Sequence, residues 1–257
     1  MSRTLSNVSA TLRPVFDLAN AGPRHRFTVL TDAGPLIVSN CILGLGFQTG
    51  PDKLRHTLFI GNGGVSVNVE LTEARDMVWT YRNTYPEIPD LWDTGEVMLA
   101  HMRLMGKDSA ALNPHKTYPI VTYNERAIWL PNGMAIQYPN LRYEARPNSL
   151  KKETLYDTPQ GTTNIFGGKV TENCDQALSR IVVTDIARRV VHQTSYEPFL
   201  STHDSLDYCV PEHQVRDFDA LLEYEFSISP TWAPNLPLAS EGGWGRSLLD
   251  AERMLNT

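Results

Sequence analysis

The sequence predicts a chain in two unequal parts: a short β-rich segment over residues 1–40 and an α+β body over residues 41–257. Three observations carry this. Composition changes at residue 40: the first forty residues hold four arginines and two aspartates, with no Lys, Glu or Trp. Beyond it, apolar residues recur at helical spacing, as at Leu71, Ala74, Val78, Tyr81 and Tyr85. Further on, residues 117–145 alternate aromatic or β-branched residues with polar ones.

In the first segment, short apolar runs alternate with turn residues. Strands are expected at Pro14–Leu18, Phe27–Leu30 and Leu36–Val38, separated by Ala-Gly-Pro and Asp-Ala-Gly-Pro. Three such strands bury no core alone, so they complete a sheet supplied by something else. In the body, a helix is expected over Leu71–Tyr85, capped by Asn68 or Thr72 and ended by Pro86 and Pro89. A second follows over Leu91–Met105. The Pro-Asn-Gly at 131–133 turns a small antiparallel insertion, assigned to residues 111–165. Gly167-Gly168 opens a long helix, Lys169–Val190. Two short strands, Pro198–Thr202 and Leu206–Val210, flank His203-Asp204-Ser205. Residues 212–224 are helical, and the last thirty form an irregular tail.

Charge excludes one class of function. The chain carries −6, divided as +2 on residues 1–40 and −8 on the other 217. A whole-surface electrostatic binder of nucleic acid is excluded, though a local basic groove is not. No apolar run approaches the ~20 residues of a membrane span, so no membrane partner is expected. Three scattered cysteines, Cys41, Cys174 and Cys209, make no disulfide framework or zinc spacing. A reducing cytoplasm is the default compartment.

The first chemical constellation is Asn40-Cys41, preceded by Val15-Phe16-Asp17-Leu18, by His25-Arg26-Phe27, and by Gly34 through Asn40. Cys41 is a thiol suited to attacking a thioester. The Asn40 side-chain amide is placed to attack its own backbone carbonyl and cut the 40–41 bond. By resemblance to the C-terminal end of an intein, His25 is a candidate acid/base for that cleavage, and Asp17 for tuning Cys41 or protonating the leaving group. The order and spacing resemble the C-terminal end of an intein, which implies a β-rich Hint-type fold around one junction. Ser39 stands where many inteins have His. The family's first half is absent from these forty residues, which begin with Met. The resemblance therefore implies a split intein completed by a partner chain.

The body carries three further matches. Ile42-Leu43-Gly-Leu-Gly-Phe47 through Leu54 resembles the second half of the fingers helix in phage-type family A DNA polymerases. Phe47 matches the family's aromatic that meets the incoming nucleotide, and Leu43 lies one turn earlier. The Arg and Lys of that helix would lie before Cys41, on the partner. The second match is Phe166 through Arg180. Lys169, Asn173, Gln176 and Arg180 form one polar stripe, and Val170, Cys174, Ala177, Leu178 and Ile181 an apolar face. It resembles the template-primer contact helix. Amides bond minor-groove acceptors and cations hold phosphates. The third, Leu200 through Pro211, resembles the palm hairpin that carries His-Asp-Glu. Asp204 then implies a ligand to two Mg²⁺ ions. His203 positions the primer end, and Ser205 replaces the usual Glu.

Together these imply a division into 1–40 (C-intein), 41–110 (C-terminal part of fingers), 111–165 (antiparallel β insertion) and 166–257 (C-terminal part of palm). The resemblance covers roughly residues 41–240. The implied partners are an N-terminal polymerase fragment carrying the N-intein, primer-template DNA and dNTPs. The second metal-binding Asp belongs upstream, so the chain alone is not expected to polymerise DNA. Two alternatives stand beside this: a split polymerase subunit that assembles non-covalently with a decayed intein, and a non-catalytic nucleic-acid-binding protein.

Overall fold

The computed structural model describes residues 27–31, 34–38, 45–60, 67–105, 118–145, 151–202, 204–240 and 242–245. The chain divides into two compact units, Met1–Asp93 and Thr94–Thr257.

In the first unit, β1 (Phe27–Thr31) and β2 (Gly34–Val38) pair antiparallel with Thr31 opposite Gly34. Both are slightly longer than the expected strands, and Pro14–Leu18 lies outside the described residues. Leu45 and Gly46 are helical, and Phe47-Gln48 is a turn in which Gln48 takes φ 65°. The helical run therefore does not reach Leu54 as expected. A left-handed residue ends it, and Pro51, whose fixed φ suits a first turn, starts α1 (Pro51–Ile60).

Helix α2 is Leu71–Thr84. Its cap is Glu70, in a capping box with Glu73, rather than Asn68 or Thr72. The Glu70 backbone N–H donates to Glu73 Oε2 at 2.8 Å. Leu45, Leu54 and Val78 form this unit's core, with Leu58, Met77 and Tyr81 packed against it.

Helix α3 (Glu87–Leu104) starts four residues before the expected Leu91. Pro89 sits in its first turn, where its missing N–H costs no intrahelical bond, so it does not act as a stop.

The second unit holds two three-stranded antiparallel sheets. The first is β3 (Thr122–Tyr123), β4 (Ala127–Trp129) and β5 (Ala135–Gln137). The second is β6 (Arg142–Ala145), β7 (Lys152–Thr158) and β8 (Gly161–Asn164). The expected turn at 131–133 joins β4 to β5, with Gly133 at φ 81°. Helix α4, Gly167–Thr194, is 28 residues long, about 42 Å. It closes at Ser195, whose φ of 64° and N–H to Val191 O end the helix.

Strands β9 (Pro198–Thr202) and β10 (Ser205–Tyr208) form a hairpin. A 3-10 turn, Glu212–Gln214, leads into α5 (Val215–Ser227). Val170, Cys174 and Ile181 of α4 are buried against Met98, Leu99 and Met102 of α3 and Ile128 of the first sheet. Farther along α4, Ile186 and Val190 pack with Phe218 of α5.

Candidate nucleic-acid interface

The long helix is placed by contacts at its start. The Gly167 N–H donates to Glu96 Oε1 of α3 at 2.8 Å. A carboxylate at a helix N-terminus satisfies an orphan donor and favours the dipole. The two helices approach so closely at Gly95 that a Cβ there would lie 2.8 Å from Gly167 O. One turn later, Thr171 Oγ1 donates to Gly167 O at 3.0 Å and meets the Tyr118 hydroxyl at 2.7 Å. Burial pushes the Tyr118 hydroxyl up to about 12 and the Cys174 thiol likewise to about 12. Both stay protonated at neutral pH, and Cys174 is a core residue rather than a reactive thiol.

The expected polar stripe is present on α4, but its members differ in what holds them. Lys169 Nζ lies 2.9 Å from Glu172 Oε2. Gln176 Nε2 donates to Glu172 Oε1 at 3.4 Å. Asn173 Nδ2 donates to the Tyr138 hydroxyl at 2.9 Å. Tyr138 is almost fully buried, and burial raises its hydroxyl pKa. Asn173 thus supports a core tyrosine as well as standing on the stripe. Arg180 NH1 donates to Ser201 Oγ of β9 at 2.8 Å. The stripe and the β9–β10 hairpin are therefore one local surface.

The hairpin has a two-residue connection, residues 203 and 204, because Thr202 pairs with Ser205. Ser205 belongs to β10 rather than to the turn, and its Oγ donates to Thr202 O at 2.9 Å. Asp204 is exposed at the tip. Among the described residues, no three His, Cys, Asp or Glu side chains are placed to hold a metal ion. These residues alone do not fit a two-Mg²⁺ site.

In the first unit, the carbonyls around Phe47 are claimed from two sides. Trp92 Nε1 donates to Gly46 O at 2.7 Å, and Arg82 NH2 to Thr49 O at 3.4 Å. The Arg82 guanidinium lies over the Trp92 ring at 5.2 Å. Phe47 is half-buried. Asp17, His25, Asn40, Cys41, Leu43 and His203 lie outside the described residues.

The chain is similar to a phage DNA polymerase. That relative, from Bacillus phage SP02, is 23% identical over 207 residues. The match takes in 78% of this chain and 30% of the relative. The chain thus spans about a third of the length of the curated protein it matches. No family model matches the sequence, and no solved structure does. Among the described residues, no helix is long and apolar enough to cross a membrane.

Three side chains that sequence reasoning missed belong to this surface. Glu172 was within reach, since it lies three residues after Lys169 and four before Gln176 on one helix. Tyr138 and Ser201 carry no local signal, because their partners are 35 and 21 residues away.

Proposed function

We propose that residues 41–257 are the C-terminal part of a phage-type family A DNA polymerase. Residues 1–40 are the C-terminal fragment of a split intein that joins this body to its partner. The observation that carries the polymerase half is the Arg180–Ser201 hydrogen bond. It sets the stripe of α4 beside the hairpin tipped by Asp204, in a chain similar to a phage DNA polymerase.

On this reading Lys169, Asn173, Gln176, Arg180 and His203 face primer-template DNA. Phe47 and Leu43 belong to the dNTP pocket. Asp204 supplies one carboxylate toward Mg²⁺, and the partner supplies the other. For the joining step, an N-to-S shift at the partner's junction puts its acyl group on the partner's own cysteine sulfur, and the Cys41 thiolate takes over that acyl group, expelling the partner's thiolate. Asn40 then cyclises to a succinimide, breaking the 40–41 peptide bond, and an S-to-N shift leaves a native amide. His25 and Asp17 move the protons.

Co-expression with the N-terminal fragment is expected to give a ligated product and a free piece of about 40 residues. Ligation by Cys41→Ala, or release of the piece by Asn40→Ala, overturns the joining mechanism. Asp204→Ala in the assembled enzyme is expected to abolish nucleotide incorporation. Unchanged incorporation overturns the polymerase assignment.

A further inference from the structure

The short segment that carries Phe47 is held by its backbone from two other elements of the first unit. Leu45 is anchored in that unit's core with Leu54 and Val78. Next to it, Gly46 O accepts the indole N–H of Trp92 on α3 at 2.7 Å. Beyond Phe47, Thr49 O accepts from Arg82 NH2 on α2 at 3.4 Å. The two donors are themselves joined, since the Arg82 guanidinium lies over the Trp92 ring at 5.2 Å. Gln48, between the two held carbonyls, has φ 65°. That conformation is uncommon for a residue with a side chain and persists where the surroundings fix it.

Trp92 is only 3% exposed. A buried indole has one N–H and needs an acceptor for it. Here that donor goes to a carbonyl 46 residues earlier in the chain. Arg82 likewise reaches back 33 residues. Phe47 stands inside this frame, yet it is half-buried and is not among the residues of the unit's core cluster. A ring outside the core cluster, on a backbone held on both sides, is preorganised to meet something other than the core. Such a contact is effective only when the backbone is in place before the ligand arrives.

We propose that Trp92 and Arg82 are positioning residues for the incoming nucleotide: they hold the carbonyls of Gly46 and Thr49 so that the Phe47 ring stands at a fixed place in the dNTP pocket. Neither touches the nucleotide, and both act through Phe47. This rests on the reading that Phe47 belongs to that pocket, and it names the residues that make the ring effective there.

The test is steady-state incorporation of a single dNTP on a primed template by the chain assembled with its N-terminal fragment. Phe47→Ala is expected to raise the KM for dNTP roughly 5- to 100-fold. Trp92→Phe keeps a ring under Arg82 and removes the N–H. It is expected to raise that KM roughly 2- to 10-fold, with kcat within about twofold. Arg82→Gln, at a less buried position, makes the same test should Trp92→Phe unfold the chain, and is expected to raise KM roughly 2- to 5-fold. A merely structural role lowers the amount of active enzyme, and so kcat, without moving KM. In a Phe47→Ala background neither change is expected to raise KM further, because both act through the ring. An unchanged KM in both Trp92→Phe and Arg82→Gln, where Phe47→Ala raises it, overturns the positioning proposal and leaves the dNTP-pocket reading standing. So does a fall in kcat alone, or an effect that multiplies with that of Phe47→Ala. An unchanged KM in Phe47→Ala overturns the dNTP-pocket reading of Phe47 itself.

Discussion

Asn173 and Gln176 look equivalent in sequence, two amides on one helical stripe, yet they carry different burdens. The Asn173 amide is the partner of the buried Tyr138 hydroxyl, whereas Gln176 is exposed and bonds only Glu172 in the hydrogen-bond network around it. Removing a buried group's partner costs about 1–3 kcal/mol. Asn173→Ala is therefore expected to destabilise the fold by that amount in denaturant unfolding. Gln176→Ala is expected to stay within about 0.5 kcal/mol, as exposed substitutions do. A DNA-binding defect in Asn173→Ala thus needs a stability control, and one in Gln176→Ala does not. The cysteines divide in the same way. Cys174 is buried with its thiol held near 12, and Cys209 is exposed. Thiol labelling of the native chain at pH 8 is expected to modify Cys209 and spare Cys174, which reacts only after unfolding.

The elements were legible where their signal is local. Apolar spacing found α2 and α4 nearly to their ends, and the alternation over 117–145 found β3, β4 and β5. The errors lie where a residue has two uses. Glu70 and Glu73 cap α2 reciprocally, though Asn68 and Thr72 are the better caps by type. Pro89 opens α3, though proline more often closes a helix. The site was legible as a stripe but not as a surface, because the Arg180–Ser201 and Asn173–Tyr138 bonds span the fold. Packing between elements is equally invisible. Nothing near Gly95 in sequence marks it, yet a Cβ there would meet Gly167 O and the Tyr118 hydroxyl, each at 2.8 Å. Gly95→Ala is expected to cost about 1–3 kcal/mol of stability as α3 and α4 separate. The second sheet has its own condition. Asn140, Thr162 and Arg142 hold the Asp157 carboxyl down from 3.8 to about 2. A carboxylate with a depressed folded pKa contributes stability above its unfolded pKa and loses it as pH falls through the folded one. Acid unfolding followed between about pH 4 and pH 2 is expected to be less steep in Asp157→Asn.

At the scale of the whole molecule, the charge average conceals two different polymers. The first forty residues carry +2 and the remaining 217 carry −8. If Asn40 cleaves as proposed, the 40-residue piece carries +2 where the uncleaved chain carries −6, so the isolated piece is expected to bind a cation exchanger at pH 7 and the uncleaved chain is not. A net-negative body that meets DNA does so through a local array, and α4 is the array proposed above. Here the Glu96 carboxylate on the Gly167 N–H has a further consequence. A helix start is ordinarily a seat for phosphate, since its unpaired N–H groups point outward with a partial positive charge. In this chain that seat is already taken by the protein's own carboxylate. If the stripe faces DNA as proposed, a duplex approaches the long helix broadside, along the row from Lys169 to Arg180, and not end-on. On that proposal its path past the protein is set by a glutamate that never touches it.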